Sequence, residues 1–499
     1  MRLLLGIAAL LPATTGRCQA PEKIPPDLEI LHINDYHGQA LPYGGPEGPG
    51  GIAVLASFVR KVRAESRAAE IWITDAGDWF QGTPEGNETQ GVLPVRLMNR
   101  LGLSLAVLGN HEFDFGADNV RRLLALTRYP VLAANLCVAG TKTPVAWVRP
   151  YQIRAVKGIR IGILGVMTAN TKAVSTGPFG DCQFGDEAEW IGRSLPRLRA
   201  ESDAIVLLSH CGLARDRELA RRFGEIRLIL GGHSHSSLKA PIRVGRTWIV
   251  QTGGKSREVY RVQLAVHRAS RSLELIRAEK LPMEPELYPP DPGFEAFLRR
   301  ESAAIRARWD APIGELSRDL GRPRSFGSTP AGNLVADLIR AEGEARIGIQ
   351  NKGGLRRQIP KGPLTLRTVF ELLPFENWVV SMDLSGKELV KVLEQGLSGF
   401  GPLEVSGIEY QVIVGPSGRS IGTVRLSGKG GPILEDAVYR VATNSFLARG
   451  GDGILAFRAG RNRRDHRKLL RELLTERIRQ VRRLTAPGDA RISIVHTEK

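Results

Sequence analysis

Five short segments of the sequence carry side chains that bind metal ions well. They are Asn34-Asp35-Tyr36-His37, Gly77-Asp78, Gly109-Asn110-His111-Glu112, Ser209-His210 and Gly231-Gly232-His233-Ser234-His235. Five of the nine histidines of the chain lie in these segments, and a sixth, His32, lies just upstream of the first. Carboxylate, amide and imidazole ligands together suit Zn, Mn, Fe or Co better than Ca or Mg. The five segments therefore predict a site for two divalent metal ions.

Each of the five segments follows a short apolar run that reads as a buried strand. These runs are Leu28–Ile33, Glu70–Thr74, Leu105–Leu108, Ala204–Ser209 and Leu228–Leu230. Segments with helical apolar spacing lie between these runs, at Ile52–Arg67, Leu93–Leu101 and Glu187–Glu201. Ile159–Val166 reads as a further strand, and Trp248–Glu274 reads as β-rich. Strands that alternate with helices predict an α/β fold. The glycines permit a tight turn after a strand, which would direct the polar side chains into one cavity.

The order of these motifs resembles that of the calcineurin-like metallophosphoesterases, and in particular the 5′-nucleotidase family. That family also includes UDP-sugar hydrolases and 2′,3′-cyclic nucleotide phosphodiesterases. The residues that carry the resemblance are Ile30 through Gly38, Gly109 through Asp114 and Gly231 through His235, and it extends over roughly residues 28–490. It implies a four-layer α-β-β-α sandwich followed by a second α/β domain.

The implied domain bounds agree with a proline-rich break at Pro282–Pro292. We expect a signal peptide over 1–20, a metallophosphoesterase domain over 27–285, a linker helix over 286–310 and a substrate-binding domain over 311–492. Asp291 to Trp309 reads as one connecting helix, which would act as the hinge when the two domains close on a substrate.

The resemblance also implies the role of each residue in the first half. One metal ion would be held by Asp35, His37, Asp78 and His235, and the other by Asp78, Asn110, His210 and His233. Asp78 would bridge the two ions. His111, oriented by Asp114, would face the phosphate, stabilise the transition state and protonate the leaving oxygen.

Motifs in the second half resemble the family's nucleotide-binding segments. Phe375 and Phe446 would sandwich the base, because stacking buries a large flat surface. Asp452 would accept hydrogen bonds from the ribose hydroxyls, Asn351 and Asn377 would contact sugar or base, and Arg356 offers a bidentate fork for a phosphate. The chain departs from the family at Lys352, where a glycine is usual; this lysine would add positive charge to the site or point to water. We assign Arg324 as a further phosphate contact.

Composition limits the class of protein. The chain has 499 residues, 42% of them hydrophobic, and a formal net charge of +18. Arginine is spread along the chain, and 6% aromatic residues without a basic aromatic patch argue against a nucleic-acid polymer as partner. The densest basic stretch, Arg458–Arg483, has an internal apolar period that predicts a surface helix. The expected partner is a nucleotide or nucleotide-sugar small molecule.

The N-terminus resembles a secretory leader. Arg2 precedes an apolar run from Leu3 to Leu11, and Cys18-Gln19-Ala20 has the small-x-Ala pattern of a cleavage site. We therefore expect a periplasmic or secreted protein with no transmembrane anchor in the mature chain. An oxidising compartment permits a disulfide, for which Cys137 and Cys182 are the preferred pair, with Cys211 left free.

The leading hypothesis is an exported two-metal phosphohydrolase that removes the 5′-phosphate from nucleotides. Alternatives in the same class are a 2′,3′-cyclic nucleotide phosphodiesterase and a nucleotide-sugar or dinucleotide pyrophosphatase. A thiosulfohydrolase is disfavoured, because its substrate has no base for Phe375 and Phe446 to stack on. The non-enzyme alternative is a secreted nucleotide-binding protein, which is disfavoured because no expected ligand is missing.

Overall fold

The computed structural model describes residues 25–43, 48–175, 177–321, 326–398, 401–416, 418–428 and 430–496. The expected signal peptide at 1–20 and the assigned phosphate contact Arg324 lie outside these ranges. In the described part of the chain, no helix is both long enough and apolar enough to cross a membrane.

The first half of the chain forms two six-stranded sheets. Its strands are β1 (Leu28–Ile33), β2 (Glu70–Asp75), β3 (Leu105–Val107), β4 (Val131–Leu132), β5 (Leu136–Val138), β6 (Tyr151–Val156), β7 (Ile159–Met167), β8 (Cys182–Phe184), β9 (Ala204–His210), β10 (Ile226–Gly231), β11 (Ile242–Val244), β12 (Thr247–Val250), β13 (Glu258–His267) and β14 (Ser272–Pro282). The strand order is β14-β13-β1-β2-β3-β4 in one sheet and β11-β12-β10-β9-β7-β6 in the other, and β5 pairs with β8 separately.

Helices cover the outer face of each of the two large sheets. They are α1 (Ile52–Glu65), α2 (Pro84–Glu88), α3 (Val92–Leu101), α4 (Ala117–Leu126), α5 (Thr171–Val174), α6 (Glu187–Glu201) and α7 (Leu213–Arg222). Alternate residues of β1 enter different cores: Ile30 packs between the sheets with Val206 of β9, whereas Leu31 packs with Phe58 of α1. Strands buried on both faces read as mainly apolar runs, and β1 is apolar except for the buried Glu29 and His32. The predicted four-layer α-β-β-α sandwich is confirmed.

The connector consists of two helices, so the prediction of one helix from Asp291 to Trp309 is wrong in this detail. They are α8 (Pro292–Glu301) and α9 (Ala303–Trp309). Asp291 caps the first by accepting the backbone N–H of Phe294 at 3.0 Å. The Ser302 hydroxyl donates to the Leu298 carbonyl at 2.7 Å, and its backbone leaves the helical region. This side-chain bond competes with the helical hydrogen bonds and ends α8.

The second half is also α/β. Its strands are β15 (Pro312–Leu316), β16 (Ile347–Gln350), β17 (Gly362–Thr365), β18 (Trp378–Ser385), β19 (Glu404–Ser406), β20 (Ile408–Gly415), β21 (Gly418–Leu426), β22 (Val438–Asn444), β23 (Arg461–Leu469), β24 (Arg483–Leu484) and β25 (Ile492–His496). Its helices are α10 (Pro330–Glu342), α11 (Leu366–Leu372), α12 (Gly386–Gly396), α13 (Ser445–Ala448) and α14 (Leu470–Val481). The main sheet has the order β19-β16-β22-β18-β23.

The basic stretch predicted as a helix over Arg458–Arg483 is partly a strand. Its first part is β23, an edge strand that pairs antiparallel with β18 and exposes most of its side chains. Only α14 is helical, and it buries the apolar stripe that the sequence indicated, from Leu470 to Ile478. The prediction failed for β23 because exposed charged residues carry no apolar period that separates strand from helix.

The predicted disulfide between Cys137 and Cys182 is absent, and both of these described cysteines are free, as is Cys211. Cys137 lies on β5 opposite Gln183 of β8, so Cys182 is one position out of register. Successive side chains of a strand point to opposite faces of the sheet. The two sulfurs are therefore on different faces and cannot bond without a register shift.

The two halves meet through a buried ion pair. Arg367 of α11 donates through Nη1 and Nη2 to the two carboxylate oxygens of Glu85 in α2, at 2.6 and 2.7 Å. Its Nε also donates to Asp310 at the end of the connector, at 2.5 Å. A bidentate pair of this kind fixes orientation as well as distance. It joins the helix that follows the Asp78 loop to the helix that precedes Phe375.

Candidate active site

The polar motifs of the first half all lie at the carboxyl ends of parallel strands. Asp35 and His37 follow β1, and Asp78 follows β2. Asn110 and His111 follow β3, His210 ends β9, and His233 and His235 follow β10. In parallel sheets these strand ends share one edge, where α/β proteins bind their ligands. The two sheets thus bring residues far apart in sequence to one place.

The backbone at this edge is held in an uncommon conformation. Five residues here have positive φ although none is glycine: Asp35 (51°), His37 (51°), Asp78 (59°), His233 (75°) and His235 (51°). Such backbone strain clusters at functional sites, where the surrounding structure has to enforce it. Gly109 also has no room for a side chain, since a Cβ there would lie 2.3 Å from Asp78 Oδ1.

The side chains form two adjacent groups of ligand atoms. In one group His235 Nε2 lies 3.1 Å from His37 Nε2 and 3.5 Å from Asp35 Oδ1. In the other, His210 Nε2 lies 3.2 Å from each of three atoms: Asp78 Oδ1, His233 Nδ1 and Asn110 Oδ1. Each group contains three His or Asp residues that could hold a metal ion. All seven residues predicted as ligands are therefore together.

Asp78 lies between the two groups. Its Oδ1 faces His210, and its Oδ2 is 3.8 Å from His37 Nε2. The carboxylate is almost fully buried. Burial alone would raise its pKa, but His210 and His111 hold that pKa well below the usual range. A permanently ionised carboxylate with one oxygen toward each group is what a bridging ligand requires.

Backbone carbonyls fix which nitrogen two of the histidines present to the site. His37 Nδ1 donates to the Gln81 carbonyl at 2.8 Å, and His210 Nδ1 donates to the Ala76 carbonyl at 2.6 Å. Because a carbonyl only accepts, Nδ1 carries a proton in both residues and Nε2 is the atom that faces the cluster. Burial lowers the pKa of His37 well below its usual value and lowers that of His233 to about 3. The pKa of His210 is shifted the other way, to about 10, because burial is outweighed by the carboxylate of Asp78. The neutral imidazoles of His37 and His233 beside the ionised Asp78 fit divalent cations of the Zn, Mn, Fe or Co type.

His111 lies beside this cluster and faces the cleft. Its Nδ1 is 2.7 Å from Asp114 Oδ2, and its Nε2 is 4.0 Å from Asp78 Oδ2. Burial opposes the charged form, but the carboxylates of Asp114 and Asp78 raise the pKa of His111 above its usual value. Ser175 donates to the other oxygen of Asp114. His111 is thus an oriented imidazole whose charged form is favoured by two carboxylates, and it can stabilise negative charge or give up a proton.

One cavity between the two halves brings the predicted residues together. Its lining includes Asp78, Asn110, His111, Asp114, His233 and His235 from the first half, which we call the metal wall together with Asp35, His37 and His210. From the second half it includes Asn351, Arg356, Phe375, Asn377, Phe446 and Asp452, which we call the aromatic wall. Arg356 reaches furthest across, with Nη2 3.1 Å from His37 Nε2.

The aromatic wall is organised by stacking and by amide hydrogen bonds. The Phe375 ring stacks on His111 with centroids 5.8 Å apart and planes at 25°. Asn351 donates through Nδ2 to Asp452 at 2.7 Å and accepts from Asn444 Nδ2 at 3.1 Å. Phe446 packs tightly on Gly451, where an added Cβ would lie 2.4 Å from the ring. A base stacked on Phe446 would thus be close to the Asp452 carboxylate.

Lys352 neither adds its charge to the cavity nor points to water, the two outcomes expected from the sequence. Its side chain is fully buried and bonds to the buried Glu404, away from water. It is not among the residues that line the cavity. The expectation failed because Glu404 lies 52 positions further along the chain and carries no local signal of the pairing.

Two supporting residues were not predicted. Glu112 accepts three backbone N–H bonds, from Asp78 (3.0 Å), Trp79 (2.7 Å) and Gly109 (2.6 Å), and so holds two of the loops of the metal wall. His32 donates through Nε2 to the Gly231 carbonyl at 3.0 Å and thereby ties the two sheets together. Both residues stand in or beside the motifs, but nothing in the sequence distinguishes them from ligands.

Comparison with known proteins agrees with this geometry. Residues 28–237 match the calcineurin-like phosphoesterase model, and residues 312–459 match the 5′-nucleotidase C-terminal domain. Over 94% of its length the chain is 30% identical to the 5′-nucleotidase precursor from Thermus thermophilus, with 99% of that chain covered and a TM-score of 0.86. It is also 27% identical to the trifunctional nucleotide phosphoesterase YfkN of Bacillus subtilis, over 92% of this chain but 34% of that protein. The chain thus spans about a third of YfkN.

The fold alone is shared more widely. Sulfate thiohydrolase SoxB of Thermus thermophilus superposes with a TM-score of 0.82 at 22% identity, over 95% of this chain and 98% of that one. The first half defines the class, a metal-dependent phosphoesterase of the calcineurin-like type. With the second half included, the chain belongs to the 5′-nucleotidase family, as its motifs predicted.

Proposed function

We propose that this enzyme removes the 5′-phosphate from nucleotides, with the phosphate at the metal wall and the nucleoside at the aromatic wall. The observation that carries the proposal is the cavity that both walls line. A phosphate near Asp78 and His111 leaves the sugar and base of the same molecule within reach of Asp452 and Phe446.

The metal wall would hold two divalent cations, one at Asp35, His37, Asp78 and His235 and one at Asp78, Asn110, His210 and His233. Such a pair activates a water molecule as the nucleophile and neutralises charge on the phosphoryl oxygens. Its ligands are chemically suited to this task, because the imidazoles of His37 and His233 are neutral and Asp78 stays ionised.

The other residues act on the phosphate and its leaving group. His111, held by Asp114, is positioned to protonate the leaving 5′-oxygen, since its raised pKa keeps a proton available. Arg356 would bind the phosphoryl oxygens from the opposite side, because its guanidinium reaches His37.

The aromatic wall would hold the nucleoside. Phe375 and Phe446 offer faces for the base, Asp452 accepts from the ribose hydroxyls, and Asn351 and Asn377 contact sugar or base. Arg324 remains a proposed phosphate contact on the sequence alone. Export through the leader at 1–20 is proposed on the same basis.

Substrate preference is the direct test. The mature protein, supplied with Mn, Co or Zn, would be assayed in parallel on AMP, 2′,3′-cyclic AMP and UDP-glucose. We expect AMP to be the best substrate and both His111→Ala and Phe446→Ala to lose activity on it. Preference for the cyclic diester or the sugar nucleotide would instead select one of the alternative phosphohydrolases. Nucleotide binding without hydrolysis of any of the three would favour the binding protein.

A further inference from the structure

The surroundings of Lys352 are unusual for a lysine. Its side chain and that of Glu404 are both 0% exposed. The ammonium donates to the Glu404 carboxylate and to the Gly327 carbonyl, the latter at 2.6 Å. Burial lowers the pKa of Lys352 and raises that of Glu404, so water has been removed from both charges at a cost. A buried ion pair of this kind is weak evidence for stability, because the cost of removing water from both charges offsets much of their attraction. Its presence therefore needs a reason other than stability.

Glu404 connects the lysine to a second segment. Its two oxygens accept the backbone N–H of Thr329 at 3.2 Å and the Thr329 hydroxyl at 2.7 Å. The same hydroxyl accepts from Gly332 N at 2.9 Å and caps α10. Gly332 has no room for a Cβ, which would lie 2.2 Å from the Glu404 carboxyl group. The start of α10 is thus packed directly onto the ion pair.

The ion pair also lies next to the aromatic wall in the sheet. Glu404 of β19 is opposite Gln350, the last residue of β16. The chain then continues through Asn351, which holds Asp452, and through the 3-10 turn Lys352–Gly354. Lys352 is therefore anchored on one side of this turn while Asn351, Gly353 and Gly354 face the cavity on the other.

We propose that Lys352 is a positioning residue: through Glu404 and Gly327 it holds the turn that presents Asn351 to Asp452, and so sets the affinity for the nucleoside. The proposal rests on the proposed function only in taking a nucleoside as the occupant of the aromatic wall. It requires no contact between Lys352 and substrate.

The test separates positioning from stability and from catalysis. Adenosine needs only the aromatic wall, so its Kd by calorimetry reports on that wall even when no phosphate is hydrolysed. For Lys352→Met we expect the Kd for adenosine and the KM for AMP to rise about tenfold, the effect of one lost hydrogen-bonded contact. Turnover of p-nitrophenyl phosphate, which has no nucleoside, should stay within about twofold of the parent value. Lys361→Met, at an exposed lysine of the same half, is the matched control and should change neither.

A double variant keeps the test decisive if the unpaired Glu404 prevents folding. Lys352→Met with Glu404→Leu leaves no buried charge, so the melting temperature should recover while the adenosine Kd stays raised. An unchanged Kd in either folded variant would overturn the proposal and leave the pair a structural feature. If the parent protein binds adenosine but does not hydrolyse AMP, only the proposed reaction fails; if it does not bind adenosine, both fail.

Discussion

The two walls of the cavity are built in different ways. Five residues of the metal wall have positive φ at strand ends, and the side chains of His37 and His210 are held by the backbone carbonyls of Gln81 and Ala76. Residues of the aromatic wall stand on short turns and helix starts; among them Asp452 has positive φ (55°), and Phe375, Phe446 and Asp452 remain partly exposed. We therefore expect the metal wall to be more rigid and less tolerant of substitution than the aromatic wall.

The most severe change should be at the residue between the two metal groups. Asp78→Asn removes the charge that faces both groups, so we expect metal content per chain and AMP turnover to fall together. The loss of turnover should exceed the roughly 10⁴-fold that one general acid can supply. Metal analysis by mass spectrometry beside kcat measures both. A variant that keeps its full metal content per chain and its full kcat would show that the metal wall tolerates this change and is less rigid than we expect.

Removal of the oriented imidazole should be the next most severe change. His111→Gln is expected to lower kcat by about 10²- to 10⁴-fold, because it takes away the proton donor. Asp114→Asn, which keeps the imidazole but loses its carboxylate partner, should cost about 10- to 100-fold, as supporting partners of active-site histidines do. Metal content should be unchanged in both. Equal losses in the two variants would contradict the distinction between a reacting group and its support.

On the aromatic wall the expected effect is on binding. Phe446→Ala should raise the KM for AMP by roughly 5- to 150-fold, since stacking of a base on an aromatic ring contributes about 1–3 kcal/mol. Turnover of p-nitrophenyl phosphate should be unaffected. Phe446→Tyr, which keeps the ring, is the control. Loss of activity on both substrates would mean that Phe446 supports the metal wall as well.

The ion pair between the two halves should have the smallest effect on the melting temperature. Glu85→Gln breaks the bidentate pair with Arg367, and we expect the halves to part and let water solvate the guanidinium. We therefore expect the melting temperature to change by less than about 2 °C, below the shift that 1 kcal/mol gives in a large domain. The radius of gyration by X-ray scattering should increase.

Glu65→Gln, at an exposed glutamate of α1, is the control for this experiment and should change neither quantity. A large drop in melting temperature at constant radius of gyration would show that the two halves do not separate. In that case the ion pair would belong to one cooperative unit.

Local sequence patterns predicted the parts of this molecule that depend on neighbouring residues. The strand Leu28–Ile33 and the helix Glu187–Glu201 have the predicted bounds. The seven residues predicted as metal ligands lie together, because each stands in a short motif after a strand. The same reasoning could not find Glu112 or His32 as supports, since a hydrogen bond to a distant backbone group leaves no pattern in sequence.

The wrong predictions for the cysteine pair and for Lys352 share one physical cause, namely pairing between distant segments. The register of β5 with β8 separates Cys137 from Cys182, and the pairing of β16 with β19 brings Glu404 to Lys352. The stack of Phe375 on His111 depends on how the two halves dock. None of these is fixed by spacing along the chain.

The distance along the chain between His37 and His235 has a consequence for how the protein folds. The two residues are 198 positions apart, yet their Nε2 atoms lie within 3.1 Å. Closing so long a loop is slow, so the pocket for the cations forms only when both sheets have assembled. Ions held there would bind the native state and not the unfolded chain, and they would add stability that rises with the logarithm of their free concentration. Metal availability would therefore regulate how long the enzyme survives as well as how fast it works.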